Sequence, residues 1–200
     1  MQALLSLSRG IDWLNNQIGK LIYWLILVAV LISAGNATIR YTLNTSSNAW
    51  LEIQWYLFSA VFLFGAGYAL LHNQHVRIDV ISSRLSKKAQ IWIDILGTLF
   101  FLMPMAVTIL WLSWPVFIES VYRNEVSTNA GGLTIWPARL MVPVGFLLLI
   151  LQGLSELIKR VAFLQGLIPD PTELDKGPSA EEELAAEILR QRGEAGGKAA

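Results

Sequence analysis

Two histidines and an aspartate stand close together after the second long apolar stretch of the chain, at His72, His75 and Asp79. Histidine and aspartate side chains bind zinc, so a metal site with Asp79 as the third ligand is one interpretation. The segment also contains lysines and arginines, a setting in which histidines more often serve as surface hydrogen-bond donors. We therefore expect no metal here, and we expect Arg77 and Asp79 to organise a turn of the chain.

Two carboxylates enter the apolar stretches. Glu52 lies at the start of the second stretch, where it can interact with the positive end of a helix dipole and remain near water. Asp94 lies about 9 Å beyond Lys88 along a helix axis, inside the apolar zone, and needs a partner such as Arg77, Arg84 or a polar group on another subunit. For both carboxylates we expect a structural role rather than ion or proton coupling.

The fourth apolar stretch contributes further candidates. Glu156 and Arg160 are four residues apart, the spacing of a pair on one helix face. Arg139 is poorly placed for the helix dipole, so we expect it to contact lipid headgroups, Glu119 or Glu125, or a partner.

Prolines within the apolar stretches indicate irregular helix geometry. Pro143, with Gly145 close behind, removes a backbone hydrogen bond inside a helix, and Pro104 does the same in the third stretch. We expect these prolines to shape packing rather than to act as hinges.

Composition places these residues in a membrane protein. Apolar residues make up 54% of the chain and charged residues 15%, with a mean hydropathy of +0.49. The absence of cysteine excludes disulfides, thiolate chemistry and iron–sulfur ligation. The sequence shows no catalytic triad, phosphate loop or intramembrane haem ligand, so we expect no catalytic or substrate-binding residues and no cofactor. Without a clustered basic face, we also expect no nucleic-acid binding.

Four stretches are long enough to cross a bilayer, and the helix is the structure that satisfies backbone hydrogen bonds there. We predict an all-α integral membrane protein whose four transmembrane helices lie at about 21–39, 51–71, 90–114 and 136–158. Residues 20–165 form this domain, and the first span is expected to be retained rather than cleaved as a signal peptide. Lysines and arginines favour one side of the predicted topology, which places both termini in the cytoplasm.

Additional elements are predicted at both ends of the chain. Residues 1–19 are predicted to form an amphipathic helix with an apolar face of Leu4, Leu7, Ile11, Leu14 and Ile18. Two placements stay open for it, in the membrane interface or packed on the bundle or a partner. Residues 166–200 form an acidic, partly flexible tail, in which a capping box at Ser179 and Glu182 predicts one short helix.

The order of these features resembles the small membrane subunit, DctQ type, of tripartite ATP-independent periplasmic (TRAP) transporters. The matching segments are Ile39–Tyr41, Trp50–Glu52, Phe62–Leu70, His75–Val80 and Pro143–Phe146. The resemblance covers roughly residues 10 to 160 and does not extend to the tail. The candidate structural or inter-subunit residues are Arg40, Glu52, His75, Arg77, Asp79, Asp94, Arg139, Pro143 and Gly145.

The resemblance implies a scaffold subunit in the bacterial inner membrane. Its implied partners are the lipid bilayer, a large membrane subunit that carries the substrate and sodium sites, and a periplasmic solute-binding protein that delivers an organic acid. Two alternatives remain open: a self-sufficient four-helix exporter, and a membrane anchor for another complex. An exporter would need a coupling carboxylate near mid-membrane, and a haem-binding anchor would need a histidine within a span.

Overall fold

A computed structural model describes residues 1–45, 47–74 and 85–169. Four helices run through these residues: α1 (Gln2–Leu43), α2 (Asn48–Leu71), α3 (Lys87–Tyr122) and α4 (Trp136–Leu164). All four are long and apolar enough to cross a membrane. The prediction of four membrane-length helices is therefore confirmed. The short helix predicted after Ser179 lies outside the described residues.

The helices extend beyond the predicted spans, and local chemistry sets several of their ends. Asn44 ends α1 in the left-handed conformation, with φ of 48°, which asparagine tolerates better than most residues. The side chain of Ser86 caps α3 by accepting a hydrogen bond from the backbone N–H of Ala89. Pro137 lies in the first turn of α4, where its missing N–H breaks no intrahelical bond.

Helix α4 is the central element of the bundle and packs against each of the other three. In its most apolar 18-residue window, 44% of residues are buried, compared with 17% to 22% in the other helices. Leu70, Ala106 and Leu149 bring α2, α3 and α4 together in a small apolar core. Most outward-facing side chains of α1 and α3 are large and apolar, as expected for surfaces in contact with lipid.

Small residues bring the helix backbones close together. A Cβ atom added to Gly145 on α4 would lie 2.7 Å from the Cβ and 2.9 Å from the carbonyl oxygen of Leu63 on α2. Pro143, two residues earlier, is buried in the same helix. Such contacts are typical of membrane bundles, where packing rather than the hydrophobic effect holds helices together. Pro143 and Gly145 therefore lie at a packing contact between helices.

The third helix is irregular before its first proline. Residues Thr98–Leu102 form one π-helical segment, and Met103–Tyr122 then continues as α-helix with Pro104 in its first turn. A proline lacks the N–H of a regular helix and its ring collides with the carbonyl four residues earlier. A π segment is one way in which a helix accommodates this disruption.

The N-terminal segment and the first span form one continuous helix, α1, rather than two separate elements. The face that packs on the bundle also differs from the predicted apolar face. Ser8, Ile11 and Asn15 are buried, whereas Leu4 and Leu7 are 47% and 57% exposed. Of the two placements left open for residues 1–19, this part of α1 packs on α4, with its polar side facing inward.

Candidate functional site

Charged side chains form a cluster between α3 and α4, near the carboxyl end of α4. The Arg160 guanidinium lies 2.5 Å from Glu156 through Nη1 and 3.4 Å from Asp94 through Nε. The side chains of Arg160 and Glu156 are only 5% and 8% exposed. Because the charges are shielded from water, their attraction is stronger than at an exposed surface, and each charge depends on its partner.

The same cluster binds the N-terminal part of α1. Lys159 Nζ lies 2.5 Å from Glu156 and 3.2 Å from Asp12. The Ser155 hydroxyl donates a hydrogen bond of 2.6 Å to the other oxygen of Asp12. We refer to Asp12, Asp94, Glu156, Lys159 and Arg160 as the tail-end cluster. It joins α1, α3 and α4.

Neutral polar side chains extend the contact between α1 and α4. The Ser8 and Ser155 hydroxyl groups lie 2.7 Å apart. Asn15 Nδ2 donates to Gln152 Oε1 at 2.9 Å, and Gln152 Nε2 donates to Asp12 at 2.9 Å. Because Ser8, Asn15, Gln152 and Ser155 are all at most 1% exposed, these groups depend on one another for hydrogen bonds. The two helices are therefore held in one register.

Glu52 organises the opposite end of the bundle, where residues 123–135 connect α3 to α4. It accepts hydrogen bonds from Asn129 Nδ2 at 2.9 Å, from the backbone N–H of Leu133 at 2.6 Å, and from the Ser127 hydroxyl. Glu52 is 1% exposed. Charge-assisted hydrogen bonds of this kind are among the stronger ones in proteins. This carboxylate therefore fixes the connection from inside.

Further contacts hold the same connection, which we call the α3–α4 loop. Val126 and Thr134 form an antiparallel β-bridge. The Tyr56 hydroxyl donates a hydrogen bond of 2.9 Å to the carbonyl oxygen of Thr134. Arg139 lies 2.6 Å from Glu125 across the base of the loop. The loop is thus attached to α2 and to the start of α4.

The structure bears on several residues proposed from the sequence. Arg139 does contact Glu125, one of its proposed partners. The Glu156–Arg160 pair is confirmed, although it is buried rather than exposed. Asp94 pairs with Arg160, which was not among the proposed partners. Glu52 lies beyond the first turn of α2 and binds the α3–α4 loop, so the proposed interaction with the helix dipole was wrong.

Of the remaining candidates, only Arg40 lies among the described residues, and it joins neither site. Arg40 lies in the last turn of α1, on the exposed surface. His75, Arg77 and Asp79 lie outside the described residues. Within the described ranges, no three His, Asp or Glu side chains are arranged to hold a metal ion.

Sequence reasoning did not identify the α1 contribution to the tail-end cluster, although a signal was present. Ser8, Asp12 and Asn15 recur at spacings of four and three, which places them on one helix face. Polar residues on α4 also recur at spacings of three and four, at Gln152, Ser155, Glu156 and Lys159. Two polar faces in otherwise apolar helices indicate that the helices pair through them.

Comparison with known proteins identifies the family. The model of the family described as "Tripartite ATP-independent periplasmic transporters, DctQ component" matches residues 29–163, more than half of the 200 residues. No curated protein and no solved structure matches the chain significantly. The matched range includes Glu52, the α3–α4 loop and the α4 part of the tail-end cluster. The chain therefore belongs to the DctQ family and is the small membrane component of a tripartite ATP-independent periplasmic transporter.

Proposed function

We propose that this protein is the scaffold subunit of a sodium-coupled transporter in the bacterial inner membrane that imports an organic acid. A large membrane subunit carries the substrate and sodium sites, and a periplasmic binding protein delivers the solute. Both termini of the chain lie in the cytoplasm. Family membership supports the association with other transporter components, and the excess of lysine and arginine beside the tail-end cluster supports the orientation.

The observation that carries the scaffold role is that the buried polar and charged groups contact one another within the bundle. The tail-end cluster joins three helices at one end of the bundle, and Glu52 holds the α3–α4 loop at the other. Polar side chains that form hydrogen bonds and ion pairs within the bundle favour one fixed arrangement of its helices. A fixed bundle is suited to steadying a larger subunit that moves.

The position of Asp94 favours this role over that of a self-sufficient exporter. A coupling carboxylate must exchange its ion or proton during each transport cycle and needs access to water. Asp94 instead lies 3.4 Å from Arg160, with its side chain 19% exposed. A structural ion pair is therefore the better explanation of this carboxylate.

Co-purification tests the proposed partnership. The tagged chain is expressed together with the other components of the transporter and extracted in mild detergent. We expect it to retain a much larger polytopic membrane protein in a fixed ratio. Native mass spectrometry measures that ratio. An Arg123→Leu variant, altered at an exposed ion pair, serves as the control and should retain the partner equally well. Isolation of the folded chain without any large membrane partner would contradict the proposal.

A further inference from the structure

The face of α1 that packs on the bundle repeats every seven residues. Four successive positions of this repeat are at most 8% exposed, and they are Ser8, Asn15, Ile22 and Ala29. Asn36 is the next position. A seven-residue period keeps one line of side chains directed at a neighbouring helix. The packed face of α1 therefore leads directly to Asn36.

The cover of this face ends after Ala29. Ala29 is fully buried, whereas Ser33 and Arg40 are exposed and Asn36 is half-buried. A Cβ atom added to Gly35 would meet no atom within 4 Å. At about 100° per residue, Ser33, Asn36 and Arg40 lie within roughly 60° of one another around α1. We refer to these three residues as the open polar patch.

The side chains of the open polar patch have no partner in the described part of the chain. Ser33 and Asn36 form no side-chain hydrogen bond there, and Arg40 forms no ion pair. Thr38, by contrast, bonds its hydroxyl to the helix backbone at 2.9 Å. Asn36 lies about 10 Å before the end of α1 at Leu43. Because lipid tails offer no hydrogen-bonding group at that depth, these side chains fit a protein neighbour.

The other end of the same face shows which groups match such a patch. Asn15 donates to the amide of Gln152 at 2.9 Å, and Asp12 lies 3.2 Å from the ammonium group of Lys159. Polar groups of α1 are thus met there by an amide and by an opposite charge on one neighbouring helix. By the same chemistry, Asn36 requires an amide or hydroxyl group and Arg40 a carboxylate. The two groups would lie about one helical turn apart on the partner.

A second copy of this chain does not supply that carboxylate. Two copies inserted in the same orientation place each Arg40 at the same depth, so a two-fold contact would bring like charges together. Within α1 the sequence has one acidic residue, Asp12, about 42 Å away along the helix axis. Three acidic residues at the Arg40 end of the bundle already have partners within the chain, and they are Glu52, Glu119 and Glu125.

Resting on the proposed function, we propose that the open polar patch docks a transmembrane helix of the large membrane subunit. A carboxylate of that helix lies against Arg40, and an amide or hydroxyl group lies against Asn36. Gly35, beside the patch, leaves room for a close approach of the partner. The groove that Asn36 lines together with Ile39 and Trp50 supplies the adjoining apolar contact.

Photo-cross-linking locates the contact in membranes that contain the assembled transporter. A benzophenone amino acid replaces Asn36, and in the matched control it replaces Ala34. Ala34 is also exposed and lies on the opposite side of α1, because two residues turn a helix by about 200°. We expect the adduct with the large membrane subunit to form at least tenfold more from position 36. Mass spectrometry of the adduct identifies the partner helix and its carboxylate.

A charge exchange tests the ion pair. Arg40→Glu should lower the amount of large subunit retained by the tagged chain at least fivefold, whereas Arg40→Lys should retain most of it. Replacing the partner's carboxylate residue by arginine should restore retention by the Arg40→Glu variant. A variant that had only lost its fold would not be rescued in this way, and undiminished retention by Arg40→Glu would contradict the proposal.

The cross-linking outcomes separate this proposal from the proposed function. If the unaltered chain retains the large subunit but positions 36 and 34 give equal adducts, the docking proposal alone is overturned. Adducts from position 36 that join two copies of this chain, or that carry only the mass of a phospholipid, would overturn it as well. Absence of a large membrane partner from the unaltered chain would overturn both proposals together.

Discussion

Replacement of Arg160 by leucine is expected to lower the free energy of unfolding by about 3 to 5 kcal/mol, the usual effect of breaking a buried ion pair. Glu156 and Asp94 would then lose the cation that lies 2.5 Å and 3.4 Å away, respectively. Lys159 remains beside Glu156 but compensates only part of the negative charge. Unfolding in mixed detergent micelles, followed by the fluorescence of the eight tryptophans, measures the change.

The exposed pair of Arg123 and Glu119 provides the matched control. Its N–O distance is 2.6 Å, close to that of the buried pair, but the two side chains are 75% and 58% exposed. Arg123→Leu should therefore cost less than about 1 kcal/mol. Adding Glu156→Gln to Arg160→Leu should recover part of the loss, because it removes a buried charge that Lys159 compensates only in part. Equal losses at Arg160 and Arg123 would contradict a structural role for the tail-end cluster.

Replacement of Glu52 by alanine is expected to loosen the α3–α4 loop, because it removes the acceptor of the hydrogen bonds from Ser127, Asn129 and Leu133. The backbone N–H of Leu133 would lose its acceptor. Hydrogen exchange should consequently accelerate at least tenfold at Leu133 and at neighbouring amides of the α3–α4 loop. Mass spectrometry of peptides covering residues 123–135 measures this exchange.

A local effect separates this prediction from general destabilisation. Exchange near Asp12 and Lys159, at the other end of the bundle, should change much less than exchange in the α3–α4 loop. Glu119→Ala, which removes a carboxylate that is 58% exposed, should leave exchange at Leu133 unchanged. If Glu52→Ala left Leu133 protected, the carboxylate would not be what holds the loop.

Hydropathy and length predicted four membrane helices because each property depends on consecutive residues. The face of α1 could not be predicted in the same way. In water, the apolar face of Leu4, Leu7 and Leu14 would be the one that packs against the bundle. In contact with lipid, an exposed apolar face costs little free energy. The polar side chains of Ser8 and Asn15 are instead stabilised by hydrogen bonds to polar groups of α4. The usual rule for an amphipathic helix is therefore inverted where α1 meets α4.

Neither polar site could be predicted in full, because the residues that contact each other there are far apart in the sequence. Asp94 and Arg160 are 66 residues apart, and Glu52 and Leu133 are 81 apart. No local pattern links such positions, although the need of Asp94 for a cation was clear from its depth in the third stretch. By contrast, Glu156 and Arg160 lie four apart on one helix, and their contact was predicted from spacing alone.

Uptake into proteoliposomes tests the central claim most directly. The large membrane subunit is reconstituted with and without this chain, the cognate binding protein and its labelled solute are added outside, and an inward sodium gradient is applied. The scaffold role predicts uptake when both membrane subunits and the binding protein are present, and none from this chain alone. Solute movement by this chain alone, or full uptake by the large subunit in its absence, would contradict the account.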